Sequence, residues 1–175
     1  MSVQPITYTA GKLKPMTEIQ TPEARLAQLG IKVPDGPPSP IGAFCNVRLH
    51  AGLAYVSGQG SVTADGTLLR GKVGRDIDAE TARGHARLVT INMLAALRST
   101  LGTLDAVTGV IKLLGLVNAT PEFEEHPYVI DGASTLLAEV FGPQGVHARS
   151  SFGVGSLPNQ ITVEIEGIFS LETSQ

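Results

Sequence analysis

Residues 149–171 read RSSFGVGSLPNQITVEIEGIFSL, and the folding of this stretch decides the architecture. Two strand-like runs, 149–157 and 160–171, flank Pro158-Asn159, so the segment reads as a β-hairpin. Pairing Leu157 with Gln160 puts Phe152, Val154, Ile161, Val163 and Ile165 on one apolar face, with Ser150, Ser156 and Gly167. Arg149, Ser151, Gly153, Gly155, Thr162, Glu164, Glu166 and Ile168 share the other. Arg149 then lies opposite Ile168 and Gly153 opposite Glu164, an Arg149–Glu164 separation of roughly 13 Å at ~3.3 Å per residue. A bulge in either strand inverts part of this assignment.

Working outward, residues 128–141 carry Val129, Ala133, Leu136, Leu137 and Val140 at helical spacing, with Gly142-Pro143 as the stop. The nearly continuous apolar run 107–117 fits a buried strand. A long amphipathic helix over 79–101 opens on Asp78 as N-cap, buries Ala82, Ala86, Val89, Met93, Ala96 and Leu97, and closes at Gly102. Residues 63–66 form a turn and 67–73 a short edge strand. Residues 44–59 (FCNVRLHAGLAYVSGQ) form a first hairpin around Ala51-Gly52. With His50 opposite Leu53, its core face holds Cys45, Val47, Leu49, Ala54, Val56 and Gly58; Phe44, Asn46, Arg48, Tyr55, Ser57 and Gln59 lie on the other. Residues 22–30 read as a short helix, 34–40 as a proline-rich loop, and 1–20 as an N-terminal extension.

The resulting order is β-β-α-β-α-β-β, an α+β architecture with two helices on one face of a mixed sheet. At 175 residues, one domain over 21–175 is expected, its core near 40–171. Hydrophobic residues make up 42% and charged residues 17%, which allows an aliphatic core and argues against disorder. Net charge is −3, and the 13 basic residues are dispersed, so no nucleic-acid partner is expected. A lone cysteine, no signal-like h-region and no membrane-length apolar run point to a cytoplasmic chain. The four histidines lack metal-ligand spacing, and no glycine-rich nucleotide motif occurs.

Arg149 and Glu164 are the residues with chemistry to offer. A guanidinium grips a carboxylate with two parallel N–H donors, and a nearby carboxylate can orient or deprotonate water. Alone, the pair reads better as an ordinary ion pair on a sheet.

The segment 147–168, HARSSFGVGSLPNQITVEIEGI, resembles the signature of the YjgF-type reactive intermediate deaminase family, and 41–59, ending YVSGQ, resembles its first hairpin. LLGLVNATPEF and DGASTLLAEVFG resemble a longer subgroup described as YjgF/chorismate-mutase-like endoribonuclease (endoribonuclease L-PSP). The resemblance implies the chorismate-mutase-like fold of the trimeric type, a homotrimer, and sites in clefts between adjacent subunits. It implies a hydrolase acting on C=N bonds, which converts 2-aminoacrylate and 2-iminopropanoate to 2-oxo acids and ammonia without metal or organic cofactor. Arg149 would hold the substrate carboxylate and Glu164 would position the water. Ser57, Gly58, Phe44 and the Ser151 carbonyl would complete the substrate site. Phe44 stands where the family has tyrosine, His147 where it has proline, and Asp131 or Ser134 where an asparagine often lines the cleft. Those departures leave a second expectation, a module that binds small carboxylates without turnover. A third, endoribonuclease or translation inhibitor, rests on the subgroup's description.

Overall fold

The computed structural model describes residues 20–37, 39–40 and 42–172; of the extension read over 1–20, only Gln20 falls among them. The short helix α1 (Pro22–Gln28) begins on Thr21, whose hydroxyl caps Ala24 N–H, and carries Pro at its first turn. It is bolted to the domain by one carboxylate. Glu23 accepts from Arg98 Nε (3.0 Å) and Nη2 (2.7 Å) and from Leu104 N–H (3.0 Å), while Leu26 is buried.

The first hairpin forms in the register read from its turn. Strands β1 (Val47–His50) and β2 (Leu53–Gly60) pair His50 with Leu53 and Val47 with Val56. Ala51 and Gly52 both take positive φ, the two-residue turn whose twist suits a hairpin. Helix α2 (Ala79–Leu101) starts where Asp78 accepts from Thr81 N–H and ends at left-handed Gly102. The long strand β3 (Val107–Asn118) follows, then α3 (His126–Phe141), β4 (Ala148–Val154) and β5 (Val163–Leu171). All six residues expected on the buried face of α2, and all five of α3, are buried. The two helices approach closely because Gly132 has no side chain; a methyl there would overlap the Arg83 carbonyl.

The sheet order is β1-β2-β5-β3-β4. The segment 149–171 is therefore not a hairpin. Strand β3 lies between β4 and β5, parallel to the former and antiparallel to the latter. Two physical reasons explain the correction. A strand as apolar as β3 is most stable with a neighbour on each side, and the β3-α3-β4 sequence is a crossover unit, which delivers its strands parallel. The turn read at Pro158-Asn159 is instead a short 3₁₀ segment, Pro158–Gln160, with Asn159 and Gln160 at positive φ, which carries the chain back across the sheet.

This changes which way β4 faces. Arg149 pairs with Leu113, itself paired with Gly167, and these neighbours lie buried beneath the helices. Arg149, Ser151 and Gly153 thus point toward α3, whereas Ser150 and Phe152 point to the uncovered side, the reverse of the expected faces. Phe152 is exposed accordingly. Glu164 pairs with Leu116, and Leu116 with Phe152, on that uncovered side.

Three smaller corrections follow. Cys45 and Leu49, read as core, are exposed: Cys45 precedes the strand, which begins only at Val47, and Leu49 lies on the edge strand β1. Residues 67–73 make only isolated bridges rather than a strand. Gln59 is buried rather than on the polar face: between Val56↔Gly167 and Gln59↔Ile165, Ser57 and Gly58 together oppose one β5 residue. This β-bulge turns Gln59 inward and Gly58 outward.

Candidate functional site

The bulge builds a floor for Glu164. A methyl group on Gly58 would overlap Oε1 of Glu164, so the carboxylate lies directly on the glycine backbone. Ser57 Oγ donates to the Cys45 carbonyl (2.7 Å), and Gln59 Nε2 donates to the Ser57 carbonyl (3.1 Å) and Asn46 Oδ1 (3.3 Å). These bonds pin the bulge from both sides. Beside it opens a hollow of about 570 Å³, whose walls include Phe44, Asn46, Gly58, Leu68, Ile161 and Glu164. The Glu164 carboxyl group makes no hydrogen bond or ion pair with any described residue. Burial, aided by the like charge of Glu166, raises its pKa above the usual glutamate value. It is a carboxyl group ready to take a proton.

Arg149 lies elsewhere, two strands and three ladder positions away and on the opposite side of the sheet. Strand spacing and rise put the two backbones roughly 14 Å apart. Its Nη1 donates to Asp131 Oδ1 (2.6 Å) and Ser134 Oγ (2.9 Å), both from α3, where a three-residue spacing sets them on one face. Nη2 makes a long bond to the Pro127 carbonyl (3.4 Å), and Nε donates to no described residue. Beyond Ser134, the hydroxyl meets His147 Nε2 (3.0 Å), and His147 Nδ1 meets the Gly145 carbonyl (2.7 Å). A carbonyl only accepts, so Nδ1 carries the proton; neutral His147 then accepts at Nε2 from Ser134, which accepts from Arg149. Burial lowers the His147 pKa; the Gly145 carbonyl opposes that shift, and the charge of Arg149 adds to it.

The residues singled out from sequence therefore fall into two groups. Phe44, Gly58 and Glu164 line the hollow beside β2 and β5, with Ser57 next to Gly58 in the bulge, whereas Arg149 and Ser151 belong to β4 against α3. One copy of the chain does not bring them together. The part of His147 and Ser134 in holding Arg149 was not apparent in sequence: the contacts join residues 13 and 15 positions apart across a helix end. A second hollow, of about 400 Å³, lies past the end of β4 beside Lys72, Phe123, His126 and Gly153, but its ammonium is engaged by the Gly155 carbonyl (2.6 Å). Among the described residues no group of three His, Cys, Asp or Glu side chains is placed to hold a metal ion. No helix among them is long and apolar enough to cross a membrane.

Fold and site together define an α+β protein with a five-stranded mixed sheet, helices on one side and a desolvated carboxyl group in a hollow on the other. Residues 23–165 match the family described as "YjgF/chorismate_mutase-like, putative endoribonuclease", and the chain belongs to that family. It is 34% identical over 149 residues to Protein TCP17 of Trypanosoma cruzi, covering 85% of this chain and 92% of that one. A crystal structure of a protein of unknown function from Agrobacterium tumefaciens is 38% identical, with TM-score 0.79 and coverage of 86% and 92%. RidA from an Antarctic Psychrobacter shares the fold at 20% identity, with TM-score 0.55 and coverage of 79% and 96%.

Proposed function

We propose that this chain hydrolyses reactive imines and enamines of the 2-iminopropanoate and 2-aminoacrylate type to 2-oxo acids and ammonia, in clefts shared by neighbouring copies of a homotrimer. The observation that carries the reading is Glu164: a carboxyl group seated on Gly58, without a hydrogen-bond partner among the described residues, raised in pKa, and facing a hollow of about 570 Å³. A group of that kind suits proton exchange with a bound water. Arg149 supplies the complementary half, because its Nε–Nη2 fork is open to a carboxylate.

The assembly joins what one copy separates. The uncovered side of the sheet presents Tyr55 and Phe152 exposed and Leu114, Leu116 and Ile168 half-buried, an apolar surface suited to a second copy. Arg149 stands on β4, the edge strand of the sheet. In the reaction, water adds to C2 of the iminium carboxylate and the C=N π pair moves to nitrogen. Glu164 takes one water proton and returns it to nitrogen; as the C–N bond breaks and ammonia departs, the C2 hydroxyl gives its proton to Glu164 and becomes the carbonyl, and Glu164 passes that proton on to ammonia or solvent. The Ser151 carbonyl would accept from the water's second hydrogen, and Phe44 would offer a ring face without a hydroxyl. The exposed Cys45 thiol suits a reducing compartment such as the cytoplasm.

The test is 2-oxo acid release from enzymatically generated 2-aminoacrylate by the purified chain and by Arg149→Ala. Equal rates for the two defeat the proposal. Arg149-dependent binding of a short carboxylate without turnover would make it a binding module. RNA cleavage lost on Glu164→Gln would favour the endoribonuclease reading, which the acidic cleft disfavours.

A further inference from the structure

Among the described residues four arginines form ion pairs with carboxylates; two of them do so side-on, while Arg87 meets Glu139 through Nη2 alone (3.0 Å). Arg98 grips Glu23 with Nε (3.0 Å) and Nη2 (2.7 Å). Arg75 grips Asp76 with the same two nitrogens, at 2.9 and 2.8 Å. That side-on, two-point geometry is the strongest available to an arginine–carboxylate pair. Arg149 and Asp131 do not adopt it. Asp131 Oδ1 takes only Nη1, and Ser134 takes the same nitrogen. The fork is left clear apart from the long Pro127 contact.

The acid is also the more open partner, its side chain 48% exposed against 21% for Arg149. Its second oxygen, Oδ2, accepts from no described residue. An open acceptor therefore adjoins an open two-point donor. Charge points the same way. Arg149 and Asp131 cancel, so a simple carboxylate would leave the cleft with a net negative charge, to which Glu164 adds. Arg83 lies near Asp131 but is spent on the Tyr128 ring, 4.7 Å from its centroid, and faces Glu80 as well.

We propose that Asp131 reads a cationic nitrogen next to the carboxylate held by Arg149, so that the site selects 2-iminio and 2-amino acids over plain carboxylates. The inference rests on the reading above in which Arg149 takes the ligand carboxylate. In such ligands the carboxylate and the charged nitrogen are separated by a single carbon, so both fall within reach of an adjoining donor–acceptor pair. Asp131 would also favour the protonated, iminium form of an imine, the form that water attacks. It is thus assigned as a specificity-determining residue.

The experiment is calorimetric titration of the full chain with alanine and with pyruvate at neutral pH, in wild type, Asp131→Asn, Asp131→Ser and Arg149→Ala. Wild type should bind alanine about tenfold or more tightly than pyruvate. Both Asp131 variants should lose that preference, with alanine weakened and pyruvate tightened. Arg149-dependent binding in which the alanine-to-pyruvate ratio is the same in wild type and both Asp131 variants overturns this inference alone. Wild type preferring pyruvate does so too. No Arg149-dependent binding of either probe overturns the carboxylate reading and this one with it. Far-UV circular dichroism of each variant separates lost recognition from lost folding.

Discussion

The two halves of the candidate site are built on opposite logic. Around Glu164 the polypeptide gives way: a bulge, a glycine and a hollow leave a half-buried carboxyl group that bonds to none of the described residues. Around Arg149 it does the reverse: Gly145, His147 and Ser134 form an unbroken chain of hydrogen bonds that ends on one guanidinium nitrogen, and Asp131 accepts from that same nitrogen. The first arrangement costs stability and tunes a proton; the second fixes a charged fork in space. A carboxylate that exchanges protons must be loosely satisfied, whereas an anchor must not swing.

The contrast can be broken most forcefully at the anchor. Arg149→Ala removes a two-point grip on the ligand, so kcat/KM for a 2-imino acid should fall by about 10²–10⁴ in a coupled 2-oxo acid assay. Glu164→Gln should cost about 10²–10³ in kcat and should also stabilise the fold. The folded carboxyl group has a raised pKa, so its protonated form is the one the fold favours. That contribution is full below the unfolded glutamate pKa and is lost as pH rises through the folded one, so at pH 7–8 the ionised group is a burden that glutamine removes. The variant should melt ~1–2 °C higher at pH 7–8 and level with wild type near pH 4.

Gly58→Ala sharpens the comparison, because the atom it meets is the tip of a flexible side chain. Displacing Glu164 should reduce kcat by ~10–100-fold, with a melting temperature nearly unchanged. A large thermal loss with intact activity would show that the glycine serves packing instead. The smallest effect concerns His147. Its folded pKa is lowered, so its neutral form supports stability above the unfolded histidine pKa, and that support fades as pH falls from ~7 toward 5. Melting curves of His147→Gln should decline less steeply over that range, by about 1–2 °C. His85 and His126, also lowered by burial, keep the remaining slope.

Local signals carried the helices and the first hairpin. Asp78, Gly102 and the apolar spacing of α2 and α3 act within a few residues of one another, and Ala51-Gly52 fixes its own register. The strand partners of 149–171 were harder to read, because Pro158-Asn159 imitates a turn while the real neighbour of both strands is β3, more than thirty residues upstream of β4. The one available hint was the crossover helix between β3 and β4. At the site, Arg149, Gly58 and Glu164 stood out by their motifs, and Asp131 as a departure from the family pattern. Their separation onto two sides of the sheet did not, since it follows from strand order and from a bulge that no single residue announces.

Strand order has a further consequence for how the chain is made. Strand β5 lies between β2 and β3, yet it follows both in sequence. Until synthesis has passed Leu171, the growing polypeptide holds an N-terminal hairpin and a β3-α3-β4 unit with facing, unsatisfied backbone edges. Such edges invite strand exchange between nascent chains, and the long-range closure is slow. The strand that brings Glu164 to Gly58 is thus also the one that seals the sheet, so a chain stalled just short of it would be both inactive and prone to stick to its neighbours.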